Sequence, residues 1–197
     1  MKNNILDSLI NAFTCLPGVG NKTAKRMTYY LLQRAKDDAL NLSNSLKEAV
    51  ENTRNCKNCR NLCFEDLCTI CSDNSRELNK ICIVENSSDV STIEDNTEYK
   101  GLYYVLHGKL SPLDDIGPKE IGLDFLENKL LSENIEEIIL AVNYTIECDV
   151  TAHVISEIAS NNNIKVTRLA QGVPVGGELE YLDKNTLLTA FNKRTNY

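Results

Sequence analysis

The chain has 197 residues, 42% of them hydrophobic and 25% charged, a balance found in globular folds and too apolar for a disordered chain. No apolar run approaches the length of a bilayer span, and Met1-Lys2-Asn3-Asn4 opens no secretory signal, so the expected address is the cytoplasm. The net charge of −7 excludes a uniformly basic nucleic-acid binder, yet residues 1–36 hold six cations against Asp7 alone, while residues 81–160 hold sixteen acids against four lysines.

Ile5, Leu6, Leu9, Ile10 and Phe13 recur at helical spacing and predict a first helix ending near Thr14. Leu16-Pro17-Gly18-Val19-Gly20 breaks it. A second helix is expected from Thr23 to about Arg34, with Ala24, Met27 and Leu31 on one face, and a third from about Ser43 to Val50. Gly18 and Gly20 permit backbone torsions and a close approach that side chains would block, so their amides and the new helix N-terminus can face a phosphate. Lys22 and Arg26, four apart, share a helical face beside that turn, with Lys25 as a further cation. Such contacts read the DNA backbone and predict sequence-independent, salt-sensitive binding. The competing expectation is a plain helix-helix turn with solvated lysines. Tyr29 and Tyr30 are expected to pack rather than to stack on bases.

Arg54 to Glu77 has few aliphatic residues and needs a cross-link to hold a fold. Five of the eight cysteines fall between Cys56 and Cys71. The pattern Cys56-x2-Cys59-x8-Cys68-x2-Cys71 supplies two Cys-x-x-Cys pairs, which together complete a tetrahedron around one ion, zinc fitting best. All four positions of such a site are filled, so its expected role is structural. Unligated thiols or a redox pair are the alternative. Cys63 is expected to be a spectator, and Cys15, Cys82 and Cys148 to be buried small apolar groups.

From Lys80 onward, short apolar runs alternate with helical patterns, which predicts an α/β domain with a mostly parallel sheet. Strands are expected at Ile81–Val84, Leu102–Leu106, Glu137–Val142 and Lys165–Leu169, and helices near Val90–Glu98, Lys119–Leu131 and Thr151–Ala159. Glu85 falls at the carboxyl end of the first strand, where open parallel sheets bind ligands. The third strand ends in Asn143-Tyr144-Thr145-Ile146-Glu147-Cys148-Asp149, where Asn143 and Thr145 are neutral and unsuited to strong divalent binding. His107 and His153 are expected to be structural. A glycine-rich tail from Gln171 leads into a helix at Thr186–Lys193, whose Leu187, Leu188 and Phe191 must pack on their own domain or on a neighbouring subunit.

The order of these segments resembles the bacterial RecR family over essentially the whole chain. Leu16 to Arg26 is similar to that family's helix-hairpin-helix, and the four cysteines resemble its zinc finger. Ile81–Glu85 with Val105-Leu106-His107-Gly108-Lys109-Leu110-Ser111-Pro112-Leu113 is similar to its Toprim domain, and Leu169 to Tyr181 to its C-terminal Walker B-like segment. The expected architecture is therefore multi-domain, α and α/β: a DNA-binding helix-hairpin-helix over 1–53, a small four-cysteine zinc finger over 54–78, a Toprim domain over 79–170 and the C-terminal segment with its helix over 171–197. The resemblance implies a non-catalytic DNA-repair protein, a homo-oligomer in which dimers join into a tetrameric ring around DNA, working with RecO and RecF at gapped or damaged sites. It also implies that Lys22 and Arg26 face the DNA inside the ring and that the acidic Toprim surface meets RecO; Gly18, Gly20 and Lys25 complete the expected DNA-binding set, and Glu85, Glu147 and Asp149 are the expected partner surface. The alternative is a magnesium-dependent Toprim nuclease or primase-like enzyme using those three carboxylates. Asp115, where a glycine is common, and Tyr144, Cys148 and Val150 depart from the family pattern.

Overall fold

The computed structural model describes residues 4–194; Lys2, one of the N-terminal cations counted above, lies outside them. Contacts divide the chain between Thr53 and Arg54 into two compact units.

The first unit is helical: α1 (Ile5–Phe13), α2 (Asn21–Arg34) and α3 (Lys36–Asn52). Asn4 caps α1, its side chain accepting from the Leu6 amide. Among the described residues of this unit, Ile10, Ala24, Thr28 and Ala35 are buried. α3 begins seven residues before the expected Ser43. Asp37 and Asp38 favour its first turn through the helix dipole, and no residue of α3 is buried, so a hydrophobic pattern marks its start poorly. Cys15 is exposed, which corrects its reading as a buried apolar group: it lies in the turn after α1, outside both helical packing faces.

The second unit opens with a short antiparallel hairpin, β1 (Arg54–Asn55) and β2 (Leu62–Cys63), from which the cysteine-bearing loops spring. Then follow β3 (Glu77–Val84), α4 (Ser87–Asn96), β4 (Gly101–Val105), α5 (Leu123–Ser132), β5 (Glu137–Ala141), α6 (Ile146–Asn161), β6 (Lys165–Arg168) and α7 (Lys184–Asn192). The four longer strands form one all-parallel sheet in the order β4-β3-β5-β6, with Ile81 opposite Leu102 on one side and Ile138 on the other. Buried on both faces, Ile81–Val84 of β3 and the whole of β4 read as continuous apolar runs, as strands of covered parallel sheets do.

Alternation sorts their side chains into two layers. Ile81, Ile83, Leu102, Tyr104, Ile138 and Leu140 pack under α5 and α6, against residues such as Leu126, Leu130 and Ile155. Cys82, Val84, Tyr103 and Val105 face α4 through Val90 and Ile93. Helix α6 starts at Ile146, five residues before the expected Thr151, because Thr145 caps it by accepting from the Cys148 amide and Glu147 and Asp149 occupy its first turn. α5 starts four residues later than expected, at Leu123, following Gly122 with φ +76°. Asp115 has φ +58° and ψ +31°, the left-handed conformation that explains glycine there and that an aspartate tolerates.

Candidate nucleic-acid interface and metal centre

In the first unit the turn between α1 and α2 is closed by the Val19 amide donating to the Leu16 carbonyl at 3.1 Å, with Pro17 second and Gly18, at φ +78°, third. Only Gly18 needs glycine's torsional freedom. Gly20 has φ −81° and ψ 170°, which any residue adopts, so its use is openness: a Cβ there would meet nothing within 4 Å, and no side chain caps the first amides of α2. Those amides and the positive end of the helix dipole are thus available to an anion.

Lys22, Lys25 and Arg26 are exposed beside that terminus, and no salt bridge among the described residues involves them. The structure therefore places all five expected DNA-facing residues in one turn and the helical start that follows it. Tyr29 and Tyr30 are 47% and 57% exposed, which corrects their reading as packing residues. The inward positions of α2 are taken by Ala24 and Thr28, and the tyrosines fall on the opposite side.

In the second unit Cys56, Cys59, Cys68 and Cys71 bring their Sγ atoms within 4.8 Å of one another, with Cys59 and Cys68 3.5 Å apart. Thiolates about 2.3 Å from a common tetrahedral ion stand about 3.8 Å apart, so the donor set fits such a metal. Amides of Asn61, Cys68 and Cys71 point at the sulfurs of Cys59, Cys56 and Cys68, at 3.5, 3.3 and 3.4 Å. The thiols compete for negative charge: hydrogen bonds from Cys59 and Cys71 push Cys68 down, and contact with Cys68 and Cys71, with burial, pushes Cys59 up. A divalent cation lets all four ionise together. Cys63 is outside this group and donates to the Glu65 carbonyl at 3.0 Å.

Spacing did not reveal how the finger grips the sheet. The Val105 amide of edge strand β4 donates to the Cys59 carbonyl at 2.9 Å, and His107 Nε2 donates to the Arg60 carbonyl at 2.6 Å. The Arg60 guanidinium bonds the Ile121 carbonyl and lies 5.8 Å from the centre of the Tyr104 ring. Buried Lys129 of α5 reaches Asn58 of the finger and Glu133. Arg60 and Lys129 carry no sequence signal beyond being cations, since only the fold brings them to these partners.

At the carboxyl ends of the strands the three expected carboxylates are held apart. Glu85 accepts from Asn143 Nδ2 at 3.0 Å and from the Cys148 thiol at 3.6 Å. Glu147 pairs with Lys109 at 3.4 Å and Asp149 with Arg168 at 2.7 Å. Its own backbone amide, then the Thr145 hydroxyl and Lys109, hold the Glu147 carboxyl below its ordinary range. Among the described residues, the four cysteines are the only group of three or more potential metal ligands. Tyr144 uses its departure from the family pattern: its hydroxyl bonds the Leu169 carbonyl, and the Arg168 guanidinium lies 3.9 Å above its ring.

Three family models match the chain: "RecR, helix-hairpin-helix" over residues 6–50, "Toprim domain" over 79–170 and "RecR, C-terminal" over 172–195. Curated relatives named "Recombination protein RecR" align along nearly their whole length. That of Xylella fastidiosa is 46% identical over 195 residues, covering 99% of this chain and 98% of the relative. That of Saccharophagus degradans is 49% identical over 194 residues, 98% of each. That of Methylococcus capsulatus is 49% identical over 189 residues, 96% of each. No helix among the described residues is long and apolar enough to cross a membrane.

Proposed function

The chain belongs to the RecR family of recombination proteins, and from that membership we propose that it is a non-catalytic DNA-binding protein of recombinational repair in the cytoplasm, one that grips phosphates through Gly18, Gly20, Lys22, Lys25 and Arg26. The single observation that carries this reading is the contrast in charge pairing. The cations at the start of α2 have no acidic partner among the described residues and flank an uncapped helix N-terminus, an arrangement suited to phosphate. The strand-end carboxylates are each engaged with a different donor, which disfavours the alternative of a magnesium-dependent nuclease or primase.

In this reading one zinc ion per chain sits on Cys56, Cys59, Cys68 and Cys71, closed to water and structural. The protein acts as a ring-like clamp built from dimers joined into a tetramer. Exposed apolar residues on α7, among them Phe191 at 69% exposure, support burial against another subunit. The clamp works with RecO and RecF at gapped or damaged DNA, the acidic surface of Glu85, Glu147 and Asp149 meeting RecO. Full-length protein incubated with gapped duplex, magnesium, RecO and RecF tests this directly. The expected result is a retarded complex containing uncut DNA. Magnesium-dependent cutting that Glu85→Gln abolishes would assign the enzymatic alternative instead.

A further inference from the structure

Helix α2 exposes Asn21, Lys22, Lys25, Arg26, Tyr29, Tyr30, Gln33 and Arg34, pairs of neighbours repeating every four residues, which is one continuous face along the helix. The opposite face holds buried Ala24 and Thr28, with Met27, Leu31 and Leu32 half-buried. The exposed face thus combines four cations with two phenol rings and contains no carboxylate. Both rings are about half exposed, beside cations that have no salt bridge among the described residues. Lysines and arginines hold phosphates, and they give an aromatic ring no reason to stay exposed. Unpaired bases do, because every base offers a flat face to stack on.

We propose that Tyr29 and Tyr30 contact nucleobases, so that this face of α2 binds single-stranded DNA, its cations on the phosphates and its tyrosines stacked on bases. The proposal rests on the DNA-binding reading above and deepens it by naming the strand form that the site prefers. Charge favours this occupant over a second copy of the chain. Apposing the face with itself would bring both sets of cations together without a compensating acid, a like-charge arrangement that opposes association. A nucleic-acid strand supplies the opposite charge and the flat apolar surface at once.

The test compares binding of the full-length protein to a short labelled oligothymidylate, to an abasic oligonucleotide of the same length and to duplex DNA. Wild-type protein should bind the oligothymidylate about tenfold or more tighter than the abasic strand. Tyr29→Ala with Tyr30→Ala should erase that preference while leaving the abasic affinity and its salt dependence unchanged, and Tyr29→Phe with Tyr30→Phe should restore it. The chain has no tryptophan, so tyrosine emission gives a readout that needs no variant: it should fall when oligothymidylate binds and hold when the abasic strand binds. Equal wild-type affinity for both strands, or equal weakening of both by the alanine pair, overturns the proposal. So does a loss of sedimentation mass in the alanine pair with the base preference intact, which assigns the tyrosines to contact between copies. Failure of the wild-type protein to bind any of the three DNAs instead overturns the DNA-binding reading itself.

Discussion

The start of α2 and the carboxyl ends of the β-strands both concentrate charge, and they treat it in opposite ways. At α2 the side chains of Lys22, Lys25 and Arg26 stand in solvent with no salt bridge among the described residues. At the strand ends, Glu147 and Asp149 each have a cation and Glu85 has two hydrogen-bond donors. An exposed unpaired charge costs the fold little and is free for a ligand, whereas a paired one must break an internal contact before it can hold a metal ion. The contrast is between cations without an internal partner at the start of α2 and strand-end carboxylates that each have one.

The largest expected effect tests whether the second unit depends on its metal-ligating thiols. Serine at Cys56, Cys59, Cys68 or Cys71 should abolish stoichiometric zinc and lower stability by about 4 kcal/mol or more, because the finger's buried cluster consists of cysteines with Ile70 packed against them. Cys63→Ser should keep the metal and cost less than about 1 kcal/mol, since a hydroxyl can still donate to the Glu65 carbonyl. Metal analysis and denaturant unfolding of the five variants check both statements.

Next in size is Glu94→Gln, which asks whether inward charge in the second unit is always compensated. Arg76, only 9% exposed in its side chain, is bonded to Glu94, and Tyr103 donates to the same carboxylate at 2.7 Å. The Arg76 hydrogen bonds hold the Glu94 carboxyl below its ordinary range. A depressed folded value means that this stabilisation is present above the unfolded carboxylate pKa, about 4.3, and fades as pH falls through the lower folded value. Glu94→Gln should therefore cost about 3 kcal/mol at neutral pH, and the difference from wild type should shrink in acid. A constant difference across that window would break the assignment.

Gly122→Ala should cost about 2 kcal/mol, since it combines φ +76° with a methyl that would run into the Arg60 guanidinium where the finger docks. Thermal unfolding is the check. The smallest effect belongs to Glu85→Gln: a glutamine keeps an acceptor for Asn143, so stability should change by less than about 1 kcal/mol and DNA affinity should not change. A large loss of affinity would give that carboxylate a role that the comparison denies it.

Much of this arrangement was legible in the sequence where a spacing carries chemistry. Two Cys-x-x-Cys pairs specify a four-sulfur cluster because each pair has one workable geometry, and the four apolar runs specify a covered parallel sheet. Long-range partnerships were not legible. Arg60 with Ile121, Lys129 with Asn58 and Tyr144 with Arg168 join residues far apart in the chain, and nothing in either partner's neighbourhood announces the other. Tyr29 and Tyr30 show the opposite error. Aromatic side chains in a helix are usually buried, but the period of α2 places them with its cations.

The salt dependence of DNA affinity, measured for wild type and for Lys22→Ala with Arg26→Ala, tests the phosphate-gripping role proposed for α2 most directly. Each lost phosphate contact should lower the slope of log K against log salt by about 0.9, so the double variant should bind more weakly on every sequence with a slope shallower by about 2. Unchanged affinity and slope would show that these cations are merely solvated and that DNA, if held at all, is held elsewhere.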